Sequence, residues 1–257
     1  GLNRPGERHG TKYTYTAPGY RLKYKDMKDY RNETGRKLEI LMEDKPTGLE
    51  VCSNIQFYDG ISVIRSWTEL KNNGEEDLGV EYVSSFALLG IDKEGLLSTD
   101  EKLEVLIARN AWQKELIWNR FSMDQLGMSI SQPDKVRRSS QTISVGNTGN
   151  WSTKNYLPMG CLKNKETDSI LFWQIEQNGS WYWEISDQDG HMYLQLSGPT
   201  EHQSHWWKNL KPGDTFASVP VSVGSACGDV EEAAGELTKY RRAIRRKNED
   251  NEKLPVI

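Results

Sequence analysis

His9, His191, His202 and His205 are the only imidazoles in the chain, and only His202 and His205 lie close together. On a helix, a His-x-x-His pair could share a metal ion. Gly198-Pro199 before the pair and Trp206-Trp207 after it favour a loop, however, and no third ligand stands nearby. No metal site is expected. Glu201 beside His202 could supply the acid and base of an aldose epimerase. Adjacent residues on a strand point to opposite faces, so that chemistry requires the two to converge in one pocket by another route. Gly146-Asn147-Thr148-Gly149 lacks the Lys-Ser/Thr of a phosphate-binding loop and reads as a turn. Cys52, Cys161 and Cys227 are odd in number, far apart and without Cys-x-x-Cys spacing, so they read as buried thiols. No cofactor is expected.

The aromatic residues offer a different chemistry. A Trp or Tyr ring can stack on the apolar C–H face of a pyranose while polar side chains at the rim bond its hydroxyls. Two regions combine these types: Asn178, Trp181 and Trp183 in one, and His202, His205, Trp206 and Trp207 in the other. These seven are the candidate carbohydrate-binding residues. The competing expectation for each Trp is a buried ring with a satisfied indole N–H, the usual state in a large sandwich core. If Trp183 is core, its loss should be severe.

The elements that position these residues follow from composition and pattern. The 257 residues include nine Trp and eleven Tyr against five Phe, and are long enough to bury a core without disulfide or metal staples. Lys and Arg number 33 against 37 Asp and Glu, a formal net charge of -4, which gives no electrostatic reason to bind nucleic acid. No apolar run approaches the roughly 20 residues of a membrane-spanning helix. No nucleic-acid or membrane partner is expected. Gly1 to Gly10 shows no apolar signal region, so a cytoplasmic location is expected.

Short extended runs separated by turns dominate, which points to a mainly β fold. Candidate strands are Lys37–Met42, Leu49–Tyr58, Ile61–Asn72, Gly79–Leu88, Lys102–Ala108, Thr142–Val145, Ile170–Glu176, Trp181–Ser186, His191–Leu196 and Phe216–Gly224. Asn178-Gly179 predicts a two-residue type I′ turn between Ile170 and Ile185. That hairpin would pair Glu176 with Trp181, Gln174 with Trp183 and Phe172 with Ile185. One helix is expected from Asp229, with Glu232 at the capping-box position and Val230, Ala233, Leu237, Tyr240 and Ile244 as its apolar stripe. Its opposite face, Lys239 to Lys247, reads as a solvated cationic face. A polar linker, Asn248 to Lys253, then gives way to Leu254-Pro255-Val256-Ile257, which reads as the first strand of a further domain. Asn32-Glu33-Thr34, Asn150-Trp151-Ser152 and Asn178-Gly179-Ser180 match the N-glycosylation sequon by chance.

Several long stretches resemble the N-terminal region of the bacterial α-galactosidases of glycoside hydrolase family 36. They are His9-Gly10-Thr11-Lys12, Thr16 to Leu22, Gly79 to Ala87 and Tyr156 to Gly160. Phe172 to Asp187, Leu194 to Leu210, Gly235 to Arg246 and Leu254 to Ile257 complete the match. The resemblance implies a galactose mutarotase-like β-supersandwich over 1–228, built of two large antiparallel sheets. It implies a C-terminal linker helix over 229–247, and over 248–257 a linker with the first residues of a catalytic (β/α)8 barrel. The family's catalytic carboxylates belong to that barrel, and its Lys-Trp-Asp nucleophile motif has no counterpart here. No catalytic residue and no enzyme activity are therefore expected of this chain alone.

The implied parent hydrolyses terminal α-galactosides such as melibiose and raffinose-type oligosaccharides with retention, which needs two carboxyl groups about 5 to 5.5 Å apart. The implied partners are the parent's own barrel, further copies in a homotetramer, and an α-galactoside oligosaccharide. The domain would support the barrel and oligomerisation and help shape the substrate entrance, with Arg8 to Tyr20 the candidate loop. A free-standing carbohydrate-binding module and an aldose-epimerase-like enzyme are the alternatives. A missing barrel should leave a contiguous apolar patch at the terminal helix and its adjoining sheet, which a self-sufficient module should lack.

Overall fold

The computed structural model describes residues 16–128, 142–188, 191–246 and 248. His9, most of the Arg8 to Tyr20 segment and Leu254 to Ile257 lie outside the described residues. A short helix α1 (Ala17–Arg21) leads into β1 (Lys23–Asn32), β2 (Gly35–Asp44), β3 (Leu49–Phe57), β4 (Val63–Asn72), β5 (Leu78–Val80) and β6 (Ser84–Leu89). After one helical turn, α2 (Thr99–Lys102), come β7 (Leu103–Ala111), β8 (Lys114–Ser122), β9 (Thr142–Asn147) and β10 (Tyr156–Asn164). Then follow β11 (Ser169–Ile175), β12 (Trp181–Gln188), β13 (His191–Ser197) and the helical turn α3 (Glu201–Ser204). The last elements are β14 (Lys208–Leu210), β15 (Thr215–Ala217), β16 (Val221–Cys227) and α4 (Val230–Ile244).

The strands form a mainly β, antiparallel architecture, as the turn-rich pattern implies. A ten-stranded sheet runs β1-β2-β3-β4-β16-β11-β10-β7-β8, with β15 also paired to β4. A four-stranded sheet, β6-β13-β12-β9, packs against it, and β14 pairs with β5. Alternation decides which side chains enter the space between the sheets. From β12, Trp181, Trp183 and Ile185 point inward, and from β13, Met192, Leu194 and Leu196 do so. They meet Val105, Ile107, Leu162, Trp173, Ile175, Val221 and Val223 of the large sheet. No helix among the described residues is long and apolar enough to cross a membrane.

The helix forms where expected, with Asp229 and Glu232 making the reciprocal capping-box bonds. Its stripe packs on the outer face of the large sheet, Ala233, Leu237 and Tyr240 being buried against Val63, Leu106, Cys161, Ile170 and Phe172. A polar clamp adds to this. Arg65 donates to Glu176 Oε2 from Nε at 2.9 Å and from Nη2 at 2.7 Å. The Tyr240 hydroxyl donates to the other oxygen of Glu176, and burial together with that carboxylate pushes the phenol pKa up.

The predicted Ile170 to Ile185 hairpin does not form. β11 pairs with β10 and β16 in the large sheet, whereas β12 pairs with β9 and β13 in the small one. Trp183 lies opposite Val145 and Leu196, and Gln174 opposite Met159 and Ser222. The Asn178-Gly179 stretch is instead a crossing between layers, and Gly179 does not adopt the positive φ of a type I′ turn. Burying Trp173, Ile175, Trp181 and Trp183 in one core requires the two strands to face each other across the sandwich rather than lie side by side.

Candidate functional site

The two predicted aromatic regions meet different fates. Trp181 and Trp183 are 1% and 0% exposed, so neither presents a face to a sugar, and their assignment as binding residues is corrected to core. The Trp181 indole donates to Ser152 O at 2.7 Å. Trp183 meets Trp173 edge to face at 5.1 Å, and neither of those two indole N–H groups has a hydrogen-bond partner. The expectation of a satisfied indole therefore fails for Trp183, and apolar area outweighs the orphaned donor there. Asn178 remains exposed on the crossing between sheets, away from any Trp platform of that group.

The second region does not form a loop throughout. Thr200 caps α3 through its side chain, which accepts from Gln203 N at 3.1 Å, and His205 ends the turn in the left-handed region at φ 52°. Trp206 is half-buried, its ring 5.4 Å from that of Phe216, while Trp207 is 64% exposed. His202 and His205 are exposed at opposite ends of this single turn. Among the described residues no group of three or more His, Cys, Asp or Glu is placed to hold a metal ion.

Because α3 is helical, Glu201 and His202 do not point to opposite faces as they would on a strand. Both line a cleft of about 720 Å³. One wall is the N-terminal arm at Thr16 to Leu22; another is the crossing segment Gly79 to Ser84. Leu49, Val51 and Leu70 of the large sheet close a third side, and Tyr193 and Gln195 of β13 form the floor. The turn is tied to the crossing segment by Glu201 N, which donates to Glu81 O at 2.8 Å. The arm is tied to the sheet by Arg21, which donates to both carboxylate oxygens of buried Asp44 at 3.0 and 2.7 Å. The Arg21 guanidinium holds the Asp44 carboxyl below the usual carboxylate range, and the Thr47 hydroxyl supports it.

The floor is polar and buried. Glu184 of β12 lies opposite Gln195 of β13. It accepts from the Tyr182 hydroxyl at 2.6 Å and from the Tyr193 hydroxyl at 2.8 Å, so both of its oxygens are engaged. Gln195 is 2% exposed, and neither its amide nitrogen nor its oxygen has a hydrogen-bond partner. Each buried orphan of this kind costs about 1–3 kcal/mol, which calls for a reason. Sequence reasoning missed Tyr182, Glu184, Tyr193 and Gln195. The available signal was alternation: polar Tyr193, Gln195 and Ser197 interleave with apolar Met192, Leu194 and Leu196, an odd pattern for a strand buried on both faces.

Among the described residues the expected apolar patch at the terminal helix is not found, because that stripe is used up on its own sheet, and by this criterion alone the outcome favours a self-sufficient module. Large exposed apolar residues lie elsewhere. The β7–β8 hairpin carries Trp112 at 83% exposure together with Leu116 and Ile117, and Leu96 is 98% exposed. Gln113 and Leu116 of this hairpin hold φ of 61° and 51°, uncommon for residues with a side chain.

No protein-family model and no curated protein sequence matches the chain. Solved structures do. The α-galactosidase AgaA of glycoside hydrolase family 36 from Geobacillus stearothermophilus, in complex with stachyose, superposes with a TM-score of 0.73 over 90% of this chain, at 17% identity. The fold is one that family 36 α-galactosidases contain. AgaB from the same organism gives a TM-score of 0.72 over 88% of this chain at 17% identity. An α-galactosidase from Lactobacillus brevis gives 0.68 over 86% at 14% identity. The matched regions are 31% of the AgaA chain, 31% of AgaB and 29% of the Lactobacillus brevis enzyme, so this chain spans less than a third of those proteins.

Proposed function

We propose that the chain is the non-catalytic N-terminal domain of a retaining α-galactosidase of glycoside hydrolase family 36, and that the parent removes terminal α-linked galactose from melibiose and raffinose-type oligosaccharides. The observation that carries this reading is the superposition on AgaA, which takes in 90% of this chain but only 31% of that enzyme. The motifs from Tyr156 to Leu210 and from Gly235 to Arg246 support the same relationship independently of the backbone. The carboxylate pair that the reaction needs would then be supplied by the remainder of the parent, in a barrel following α4.

In this reading the domain packs on the barrel and supports assembly of the enzyme into oligomers. The surface that serves is the end of the sandwich carrying Trp112, Leu116 and Ile117, because large apolar side chains held out in solvent are the usual mark of an interface. The test is a paired assay with p-nitrophenyl α-galactoside on the 257-residue chain and on the protein extended through the proposed barrel. Activity confined to the longer protein is expected. Activity in the 257-residue chain would place the carboxylate pair inside it and overturn the non-catalytic role.

A further inference from the structure

We infer that Asn178 is a site of spontaneous covalent modification, at which the side-chain amide is converted to a carboxylate through a cyclic imide formed with Gly179. Asparagine followed by glycine suits this reaction, because a residue without a Cβ leaves the attacking backbone nitrogen unshielded and its backbone able to turn. The chain contains the pair twice, at Asn73-Gly74 and at Asn178-Gly179. Both asparagines are exposed, so exposure does not distinguish them. What holds each glycine does.

Gly74 is clamped. Its N–H donates to Asn72 Oδ1 at 2.9 Å, and Asn72 is itself buried, its amide donating to Glu76 O at 2.8 Å and to Leu210 O at 2.9 Å. Asn73 N donates to Gly48 O at 3.0 Å. The neighbouring loop stands so close that a Cβ on Gly74 would come 2.3 Å from Thr47 O. Attack by the Gly74 nitrogen therefore requires its hydrogen bond to break and the turn to swing within a packed wall. Gly179 meets neither restraint. Among the described residues its N–H donates to no group, and a Cβ there would find nothing nearer than 3.8 Å. The Asn178 side-chain amide likewise makes no hydrogen bond among the described residues; the contact this residue makes is through its backbone N–H, which donates to Gln177 Oε1 at 3.2 Å.

The reaction balances with water as its sole co-reactant. The Gly179 nitrogen gives up its proton and attacks Asn178 Cγ. An N–Cγ bond forms, the Cγ–Nδ2 bond breaks, and ammonia leaves with the proton. Water then opens the imide: addition at the side-chain carbonyl gives aspartate, and addition at the main-chain carbonyl gives isoaspartate. Nothing is oxidised or reduced. Either product carries a negative charge where the asparagine had none. Isoaspartate also adds a methylene to the main chain between β11 and β12. The crossing is pinned on both sides, by Glu176 N donating to Pro220 O at 2.9 Å and by the Trp181 indole donating to Ser152 O at 2.7 Å, so it absorbs that change itself. The inference does not depend on the parent's hydrolytic activity, since both reacting groups belong to the chain described.

The experiment incubates the folded 257-residue chain at pH 8 and follows both pairs by mass spectrometry of the tryptic peptides 72–93 and 166–208, which hold one pair each. Conversion at Asn178 about tenfold faster than at Asn73, or more, is expected, since the hydrogen bond and packing at Gly74 must yield before attack there. In guanidinium chloride, where that clamp is gone, the two rates should draw together. Gly179→Ala shields the attacking nitrogen, so it should slow conversion at Asn178 severalfold and leave Asn73 as it was. Isoaspartate should accompany aspartate in the product, the mark of the imide route. The inference is overturned if Asn178 in the folded chain reacts no faster than Asn73, or if the difference persists undiminished on unfolding. It is equally overturned if Gly179→Ala leaves the rate unchanged, or if aspartate forms alone, as direct hydrolysis of the amide would give.

Discussion

Trp173 and Trp183 meet edge to face with ring centroids 5.1 Å apart, one ring from each sheet. Both are fully buried, so this contact lies at the centre of the interface between the layers. Trp183→Ala is expected to cost about 3–5 kcal/mol, the usual range for deleting a large aromatic from a packed core. Chemical denaturation followed by circular dichroism measures it. A loss well under 1 kcal/mol would mean that the ring is not core and would reopen its role as a sugar platform.

Gly160 faces the same ring from β10. A Cβ built there would come 2.6 Å from Trp173 Cζ2, and the Trp cannot retreat because Trp183 stands behind it. Gly160→Ala should therefore destabilise by about 1–3 kcal/mol through overpacking. Gly179→Ala provides the contrast. Its φ is not positive and a Cβ there would meet nothing nearer than 3.8 Å, so a change within about 0.5 kcal/mol is expected. A type I′ hairpin at Asn178-Gly179 would instead make that substitution costly. The pair of thermal melts separates the observed crossing from the hairpin that the local sequence suggests.

That the terminal helix is legible in the sequence and the pairing of β11 and β12 is not is a matter of range. A capping box and an apolar stripe at helical spacing are local, and α4 uses both within 16 residues of Asp229. Asn178-Gly179 is also a local signal, but whether two strands pair or face each other depends on partners as distant as Leu196 and Val223. Strands β1 and β10 were hidden for other reasons. β1 is exposed along its whole length and charged, so it has no apolar alternation to detect. β10 holds Pro158, which argues against a central strand; the register toward β7 shifts between Tyr156 and Gly160, and this irregularity accommodates the proline. Of the candidate site, only Glu201 and His202 are legible as residue types; their convergence is not, because it needs a helical turn that no periodic pattern announces.

The three thiols should react in a fixed order. Cys227 is exposed, Cys52 is half-buried, and Cys161 is 2% exposed on the face beneath α4. Burial pushes the Cys161 thiol up to about 12, and burial also raises that of Cys52. Since the thiolate is the reactive form, native protein at pH 8 should release one equivalent rapidly with a disulfide reagent, a second slowly, and the third only on unfolding. Release of the third equivalent from native protein would show that α4 lifts off the sheet in solution, since Cys161 is the thiol beneath it.

The contribution of the Arg21–Asp44 pair should depend on pH in a direction that follows from its chemistry. The guanidinium holds Asp44 below its ordinary range, so the unfolded chain binds a proton at a higher pH than the folded one. The stabilisation is therefore fully present above the unfolded carboxylate value of about 3.9 and disappears as pH falls through the lower folded value. Asp44→Asn removes the charge at every pH while keeping the shape. The Tm of the variant should lie below that of the natural protein at pH 7, and the gap should close progressively below about pH 4, where the protonated aspartic acid and the asparagine become equivalent. Because Arg21 fastens the arm that walls the cleft, trypsin at pH 8 should also cut after Arg21 faster in the variant. A Tm gap that stays constant from pH 7 to pH 2 would show that the asparagine disturbs packing rather than an ion pair, and the arm would then owe its position to Leu22 and the apolar contacts around it.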